Sequence, residues 1–288
     1  MPARVSELRT CVIGWPIGHS RSPLIHNYWL KKYGIAGEYI KQPVSPDELE
    51  AFLSSLVARG FLGCNVTVPH KERAAKNVTL ADPLTRKLAA VNTLYLDDGM
   101  LMGTNTDGFG FIRNLAAAVP DFEYRGSSAL LLGAGGAARA IAGALLDAGL
   151  GKLVICNRSL ERARAVAGVF GENIIASPWD SAPSAMADID LLVNATALGM
   201  EGKPPLDLSL DALPRSAVVC DIVYVPLETP LLRQARGRGN RTVDGLGMLL
   251  HQACPAFEKW YGIRPEVTTA LRRIVESDIL AKSPLAAP

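Results

Sequence analysis

The chain has 288 residues, 49% of them apolar and 20% charged, with a formal net charge of +2 at pH 7. That length fits two domains with a sizeable core. The near-even charge excludes binding to nucleic acid or anionic membranes driven by bulk electrostatics. The N-terminal MPARVSELR carries charges and no apolar stretch, so no secretory signal is expected. The most apolar region, SALLLGAGGAARAIAGALL, is crowded with glycine and interrupted by Arg139, which makes it a poor membrane span. There are five cysteines, with no C-x-x-C and no histidine at metal spacing. Cys11, Cys64, Cys156 and Cys220 sit inside strand-like runs, which predicts reduced core thiols, a cytoplasmic protein and no metal.

In chain order, the β-rich runs TCVIG, GEYIKQPV, GCNVTV, NTLYL, SALLLG, KLVICN, IDLLVN and AVVCDIV alternate with helical segments. The helices are expected over 23–33, 46–59, 107–118, 136–148, 159–169 and 229–237. Such alternation implies βαβ units and a mostly parallel sheet, an α/β fold. A polar break falls at 120–127, VPDFEYRGS. Two further helical patterns, one running to about 261 and one after Pro265, follow with no strand after them. They are free to pack back on the first domain, and the tail KSPLAAP is expected to fray.

Polar residues collect at element ends in the first hundred-odd positions. The stretch GWPIGHSRSP sets Ser20 and Ser22 between two prolines, after the first strand. Ser22 could cap the following helix with Pro23 at its first turn, or both hydroxyls could hold a ligand. In NVTVPHK, alternation puts Asn65 and Thr67 on one face, and Lys71 opens a helix. Asn92 begins another strand, and TNTDG brings Thr106 and Asp107, either of which could cap the next helix. Taken singly, Lys71 reads as a solvated surface residue. Taken together, one lysine, one aspartate and neutral donors and acceptors fit a small polyhydroxylated carboxylate.

SALLLGAGGAARAIAGALLDAG reads as strand, glycine-rich turn and helix. Gly133, Gly135 and Ala138 fill the G-x-G-x-x-G/A positions, around Ala134, Gly136 and Ala137. This is a dinucleotide loop, with the pyrophosphate at a helix N-terminus; the alternative is a tight helix–sheet contact. At the next strand end an NAD site would carry Asp or Glu for the ribose 2′-OH. The chain instead reads Asn157-Arg158-Ser159-Leu160-Glu161-Arg162, with no carboxylate at the tip. Arg158 and Arg162, four apart, are expected on one helical face, where they suit a 2′-phosphate and hence NADP. Asn194 to Thr196 and Asp221 to Tyr224 also follow strands, at the end where an open parallel sheet binds its ligand.

The motifs GWPIGHSRSPLIHN, NVTVPHK, AVNTL, TNTDG, GAGGAAR, NRSLERA, NATALGM and DIVYVPLETP with DGLGMLLHQA resemble, in order, those of the shikimate dehydrogenase family. The resemblance implies reduction of 3-dehydroshikimate to shikimate with NADPH, on the way to chorismate and the aromatic amino acids. It implies an N-terminal α/β substrate domain, residues 1–107 with the returning 246–288, and a doubly wound Rossmann-type NADP domain, 108–245, with a cleft between them. Ser20 and Ser22 would bind the substrate carboxylate. Asn65, Thr67, Asn92, Asp107 and Gln252 would hold the ring, with Tyr224 also touching it. Lys71 would be the acid/base, with Asp107 beside it. Gly133 through Ala137, Asn157 through Arg162, Thr196, Ile222 and Gly245 would line the cofactor. Family members include dimers and monomers, so a homodimer is among the states implied. Trp15 stands where asparagine is common, and Ala197 where serine is common; neither removes a catalytic group. His19, His70 and His251 flank these positions and His26 lies on the first helix; all four are read as supporting or surface residues. Alternatives are a catabolic, NAD-linked quinate/shikimate dehydrogenase, a non-catalytic NADP-binding regulator, and another amino-acid or folate dehydrogenase of related architecture.

Overall fold

The computed structural model describes residues 8–171 and 173–282; most of the KSPLAAP tail lies outside them. The chain divides into two compact units. One holds the chain up to Thr106 together with Gln252–Val275; the other holds Asp107–His251 and the chain from Glu276.

The first unit runs β1 (Leu8–Gly14), α1 (Ser22–Lys32), β2 (Gly37–Pro43), α2 (Leu49–Ser55), β3 (Phe61–Val66), α3 (Lys71–Ala75), β4 (Thr79–Leu80), α4 (Pro83–Leu88), β5 (Thr93–Asp97) and β6 (Met100–Thr104). Its sheet has the order β2-β1-β3-β5-β6-β4. It is mixed: β1 pairs parallel with β2 and β3, and β4 with β6, while β3–β5 and β5–β6 pair antiparallel. The β5–β6 pair is joined by a two-residue turn, Asp98-Gly99, with φ of 46° and 78°. Positive φ at both positions gives the twist that closes a hairpin and leaves no room for a crossover helix.

The second unit runs α5 (Asp107–Ala118), β7 (Ser128–Leu132), α6 (Gly136–Asp147), β8 (Lys152–Asn157), α7 (Leu160–Phe170), β9 (Ile174–Pro178), α8 (Ala182–Ala185), β10 (Leu191–Asn194), β11 (Val218–Asp221), α9 (Pro230–Gly237) and β12 (Arg241–Val243). Two long helices follow, α10 (Gly245–Tyr261) and α11 (Thr269–Lys282), and each contributes residues to both units. All pairings are parallel, in the order β12-β11-β10-β7-β8-β9. This is the doubly wound dinucleotide arrangement, with the order reversing between β7 and β10.

Strand alternation explains why these runs are apolar throughout. Ala129 and Leu131 of β7 enter one core with Leu153 and Ile155 of β8. Leu130 and Leu132 enter the opposite core with Val154 and Cys156. A parallel sheet covered on both faces needs apolar side chains at successive positions. The five cysteines are free and buried. No helix among the described residues is long and apolar enough to cross a membrane.

Candidate active site

Ser20, Ser22, Asn65, Thr67, Lys71, Asn92 and Gln252 belong to the first unit, and Asp107 and Tyr224 to the second. Ser20 and Ser22 are buried at the entry to α1. Ser22 is not the cap: Arg21 holds that position and α1 has no side-chain cap. The two serines instead touch each other, Ser22 N–H donating to Ser20 Oγ at 3.3 Å. Lys71 is the first residue of α3, and its carbonyl accepts Val91 N–H at 3.0 Å, which sets it beside the segment that carries Asn92. The Thr106 hydroxyl donates to the Gln252 carbonyl at 2.8 Å.

The first unit contains a relay of hydrogen bonds. The Tyr39 hydroxyl donates to Asn65 Oδ1 at 2.7 Å, and Asn65 Nδ2 donates to Thr93 Oγ1 at 3.1 Å. Thr93 donates to Asn92 Oδ1 at 3.1 Å, and Asn92 Nδ2 donates to Thr106 Oγ1 at 3.0 Å. The relay ends at Gln252, whose Oε1 also lies 3.3 Å from Asn92 Nδ2. Each buried amide is thereby satisfied and held to one orientation. Tyr39, Thr93 and Thr106 organise three candidate substrate residues, and residue patterning did not single out Tyr39. His26 stacks on Tyr39 with ring centroids 4.2 Å apart, and burial pushes its pKa down to about 3. It is a neutral core residue rather than a surface one. His70 is also buried, bonded through Nε2 to the Val44 carbonyl at 2.8 Å.

In the second unit the cofactor candidates gather around the switch in strand order. Gly133 has φ +108°, and a Cβ there would stand 3.1 Å from the Ala195 carbonyl oxygen and from Thr196 Cγ2. The Gly133 turn and the Ala195-Thr196 loop approach closely, and at this positive φ any side chain would be strained and would push the loop back. Gly135, the N-cap of α6, has no side-chain cap bond, and open space surrounds it where a Cβ would point. Uncapped N–H groups beside open space suit a pyrophosphate. Ile222 N–H donates to the Asn194 carbonyl at 3.0 Å, and a Cβ on Gly245 would stand 2.2 Å from the Ile222 carbonyl oxygen. Ile222 thus borders both Asn194 and Gly245.

At the end of β8, Asn157 Nδ2 donates to the Ser159 carbonyl at 2.9 Å, and Ser159 caps α7 by accepting Arg162 N–H. Arg158 precedes the cap, so the two arginines do not share a helical face as expected from their spacing. With Ser159 as the cap, the helix begins at Leu160, two residues after Arg158. Both guanidiniums are exposed, with no carboxylate at the strand tip. The residues present therefore fit NADP.

Three family models match in series: shikimate dehydrogenase substrate binding domain over residues 12–94, shikimate / quinate 5-dehydrogenase over 114–200, and shikimate 5′-dehydrogenase C-terminal domain over 245–274. The shikimate dehydrogenase (NADP(+)) of Azorhizobium caulinodans is 49% identical over 97% of this chain and 99% of its own length. The shikimate 5-dehydrogenase of Thermus thermophilus, solved with NADP(H) and shikimate, is 35% identical with a TM-score of 0.83, covering 95% of this chain and 99% of that one. Quinate dehydrogenase from Corynebacterium glutamicum, solved with NAD, is 31% identical with a TM-score of 0.86, covering 94% and 99%. Full-length similarity at this level, on a doubly wound sheet joined to a second α/β unit, means that the chain belongs to the shikimate dehydrogenase family.

Proposed function

We propose that this chain is an NADP-dependent oxidoreductase that interconverts 3-dehydroshikimate and shikimate. Residues 1–107 and 246–288 are assigned to substrate binding and catalysis, and 108–245 to NADP. One observation favours this over the NAD-linked quinate reading. The end of β8 offers two exposed arginines and no carboxylate, which suits a 2′-phosphate and gives a bare ribose hydroxyl no acidic partner. Retention of both Lys71 and Asp107 argues against a non-catalytic regulator.

NADPH supplies a hydride for the ketone carbon when bound. The protein's own part is to hold the substrate and manage the proton. The Ser20 and Ser22 hydroxyls take the carboxylate. Asn65, Thr67, Asn92, Asp107 and Gln252 take the ring oxygens with both donors and acceptors, and Tyr224 adds a further contact. Lys71 Nζ stabilises negative charge as it develops on the ketone oxygen and donates the proton that makes the alcohol. In the reverse direction the same amine accepts it.

The test is NADPH oxidation with 3-dehydroshikimate, repeated with NADH, and the reverse reaction with shikimate against quinate. The expected result is turnover with NADPH far above that with NADH, and with shikimate far above quinate. Faster turnover of quinate with NAD would replace this reading.

A further inference from the structure

One buried carboxylate in the second unit has no part in the chemistry above. Asp221 ends β11 and is 2% exposed. A buried carboxylate is costly unless donors surround it, and Asp221 receives them from three separate segments. Asn194 Nδ2, at the end of β10, donates to Oδ1 at 3.0 Å. Val223 N–H, in the loop after β11, donates to the same oxygen at 3.0 Å. Thr229 Oγ1, the N-cap of α9, donates to Oδ2 at 2.7 Å.

The consequence lies in what an ionised carboxylate cannot do. It accepts hydrogen bonds and donates none. Asn194 is fully buried, and its amide has only two ways to lie. Opposite Asp221 its NH2 must face the carboxylate, and its carbonyl must face away. That carbonyl accepts Thr196 N–H at 3.1 Å and Thr196 Oγ1 at 2.7 Å. Thr196 Oγ1 in turn accepts Leu198 N–H at 3.0 Å. The same carboxylate, through Val223 N–H, shapes the backbone between Ile222 and Tyr224. In a doubly wound sheet the pyrophosphate lies at the glycine turn after β7 and the adenosine ribose at the end of β8, so the remainder of a dinucleotide extends over the ends of β10 and β11.

We propose that Asp221 is a positioning residue for the nicotinamide half of the cofactor: as an obligate acceptor it fixes the orientation of Asn194, and through Asn194 and Val223 it sets the Thr196 loop and the Ile222–Tyr224 segment. The proposal rests on the NADP reading above. Asp221→Asn is nearly isosteric but introduces a donor, so the amide of Asn194 can turn over and release Thr196.

The experiment measures, by titration calorimetry, the affinity of the full chain for NADPH and for 2′,5′-ADP, which lacks the nicotinamide. Losing a buried, charge-assisted hydrogen bond should weaken NADPH binding by roughly 10-fold or more in Asp221→Asn. Binding of 2′,5′-ADP should stay within about 2-fold, since its contacts lie at the β7 and β8 ends. Thr229→Val should show the same selectivity to a smaller degree, and Thr229→Ser, which keeps the hydroxyl, should bind NADPH like the unmodified chain. Unchanged NADPH affinity in folded Asp221→Asn overturns the proposal. So does an equal loss for both ligands, which is the mark of general damage to the unit. Should Asp221→Asn not fold, Thr229→Val decides by the same two outcomes. An unmodified chain that binds neither ligand removes the NADP reading itself and this proposal with it, a result visible before any variant is made.

Discussion

The Tyr39 hydroxyl donates to Asn65 Oδ1 at 2.7 Å, with both side chains buried. Tyr39→Phe removes only the oxygen and leaves Asn65 with an acceptor that water cannot reach. A stranded buried acceptor costs about 1–3 kcal/mol, and the Asn65 amide gains freedom to turn away from Thr93. The expected outcome is a modest fall in melting temperature, a several-fold rise in KM for shikimate and a nearly unchanged kcat. A variant with unaltered KM would show that Asn65 does not report to the substrate through this relay.

Lys71 stands at the first position of α3, next to the segment that carries Asn92. Lys71→Ala should lower kcat by roughly 100-fold or more, the usual scale of a positioned acid/base. Shikimate affinity should change little, because the serines and amides that hold it remain. Steady-state kinetics with NADPH, together with shikimate titration, check both halves of the expectation. Retained kcat would assign the proton to another group.

The two sheets were unequally legible in the sequence. Runs such as LLLG and LVIC announce themselves because β7 and β8 feed two cores at once, and the glycine turn between β7 and α6 follows from that. Strands β4, with two residues, and β12, with three, are too short to show any period. In β9, Ser177-Pro178 interrupts the pattern. The β5–β6 hairpin did leave a mark, the Asp98-Gly99 pair between two apolar runs, which a hairpin reading would have used. In the site, residues at element ends stand out because polar groups collect there, at the end of the strands where an open sheet binds its ligand. Tyr39 does not, because it lies within β2 and meets Asn65 of β3 only across the intervening β1, while Thr93, which opens β5, meets Asn65 as its cross-strand partner. That pairing is set by the sheet order, which no local pattern encodes.

Arg158 and Arg162 lie on either side of the Ser159 cap in sequence, both exposed, at the strand end expected to meet the adenosine ribose. Replacing both with alanine should raise KM for NADPH far more than for NADH, narrowing the preference between them. The change should vanish with the non-phosphorylated cofactor, since neither guanidinium has a phosphate to meet there. Equal effects on the two cofactors would place the 2′-phosphate elsewhere.

Gly108, directly after Asp107, sits where α5 crosses α6. A Cβ there would lie 2.7 Å from the Ala140 carbonyl oxygen and 2.8 Å from Ala144 Cβ. Neither is the flexible end of a side chain, so the helices themselves must separate. Overpacking of this kind costs about 1–3 kcal/mol. Gly108→Ala should therefore lower the melting temperature despite alanine's better helix propensity. A gain in stability would mean that the α5–α6 contact is looser than this crossing.

Asp221 also makes stability depend on pH. Burial raises its pKa from 3.8 to about 6, partly opposed by the donors Thr229, Val223 and Asn194. The folded chain thus binds the proton more tightly than the unfolded chain, whose carboxyl titrates near the ordinary value. The stabilising contribution is complete below about pH 4 and is lost as pH rises through about 6. A shift of this size corresponds to roughly 3 kcal/mol across that window. Asp221→Asn has no proton to gain or lose, so the melting temperature of the unmodified chain minus that of the variant should fall steadily from pH 4 to pH 6.5 and then level off. Thermal melts of both proteins at half-unit intervals check this. A difference that stays flat, or rises with pH, would show that the three donors outweigh burial and hold the carboxylate ionised throughout.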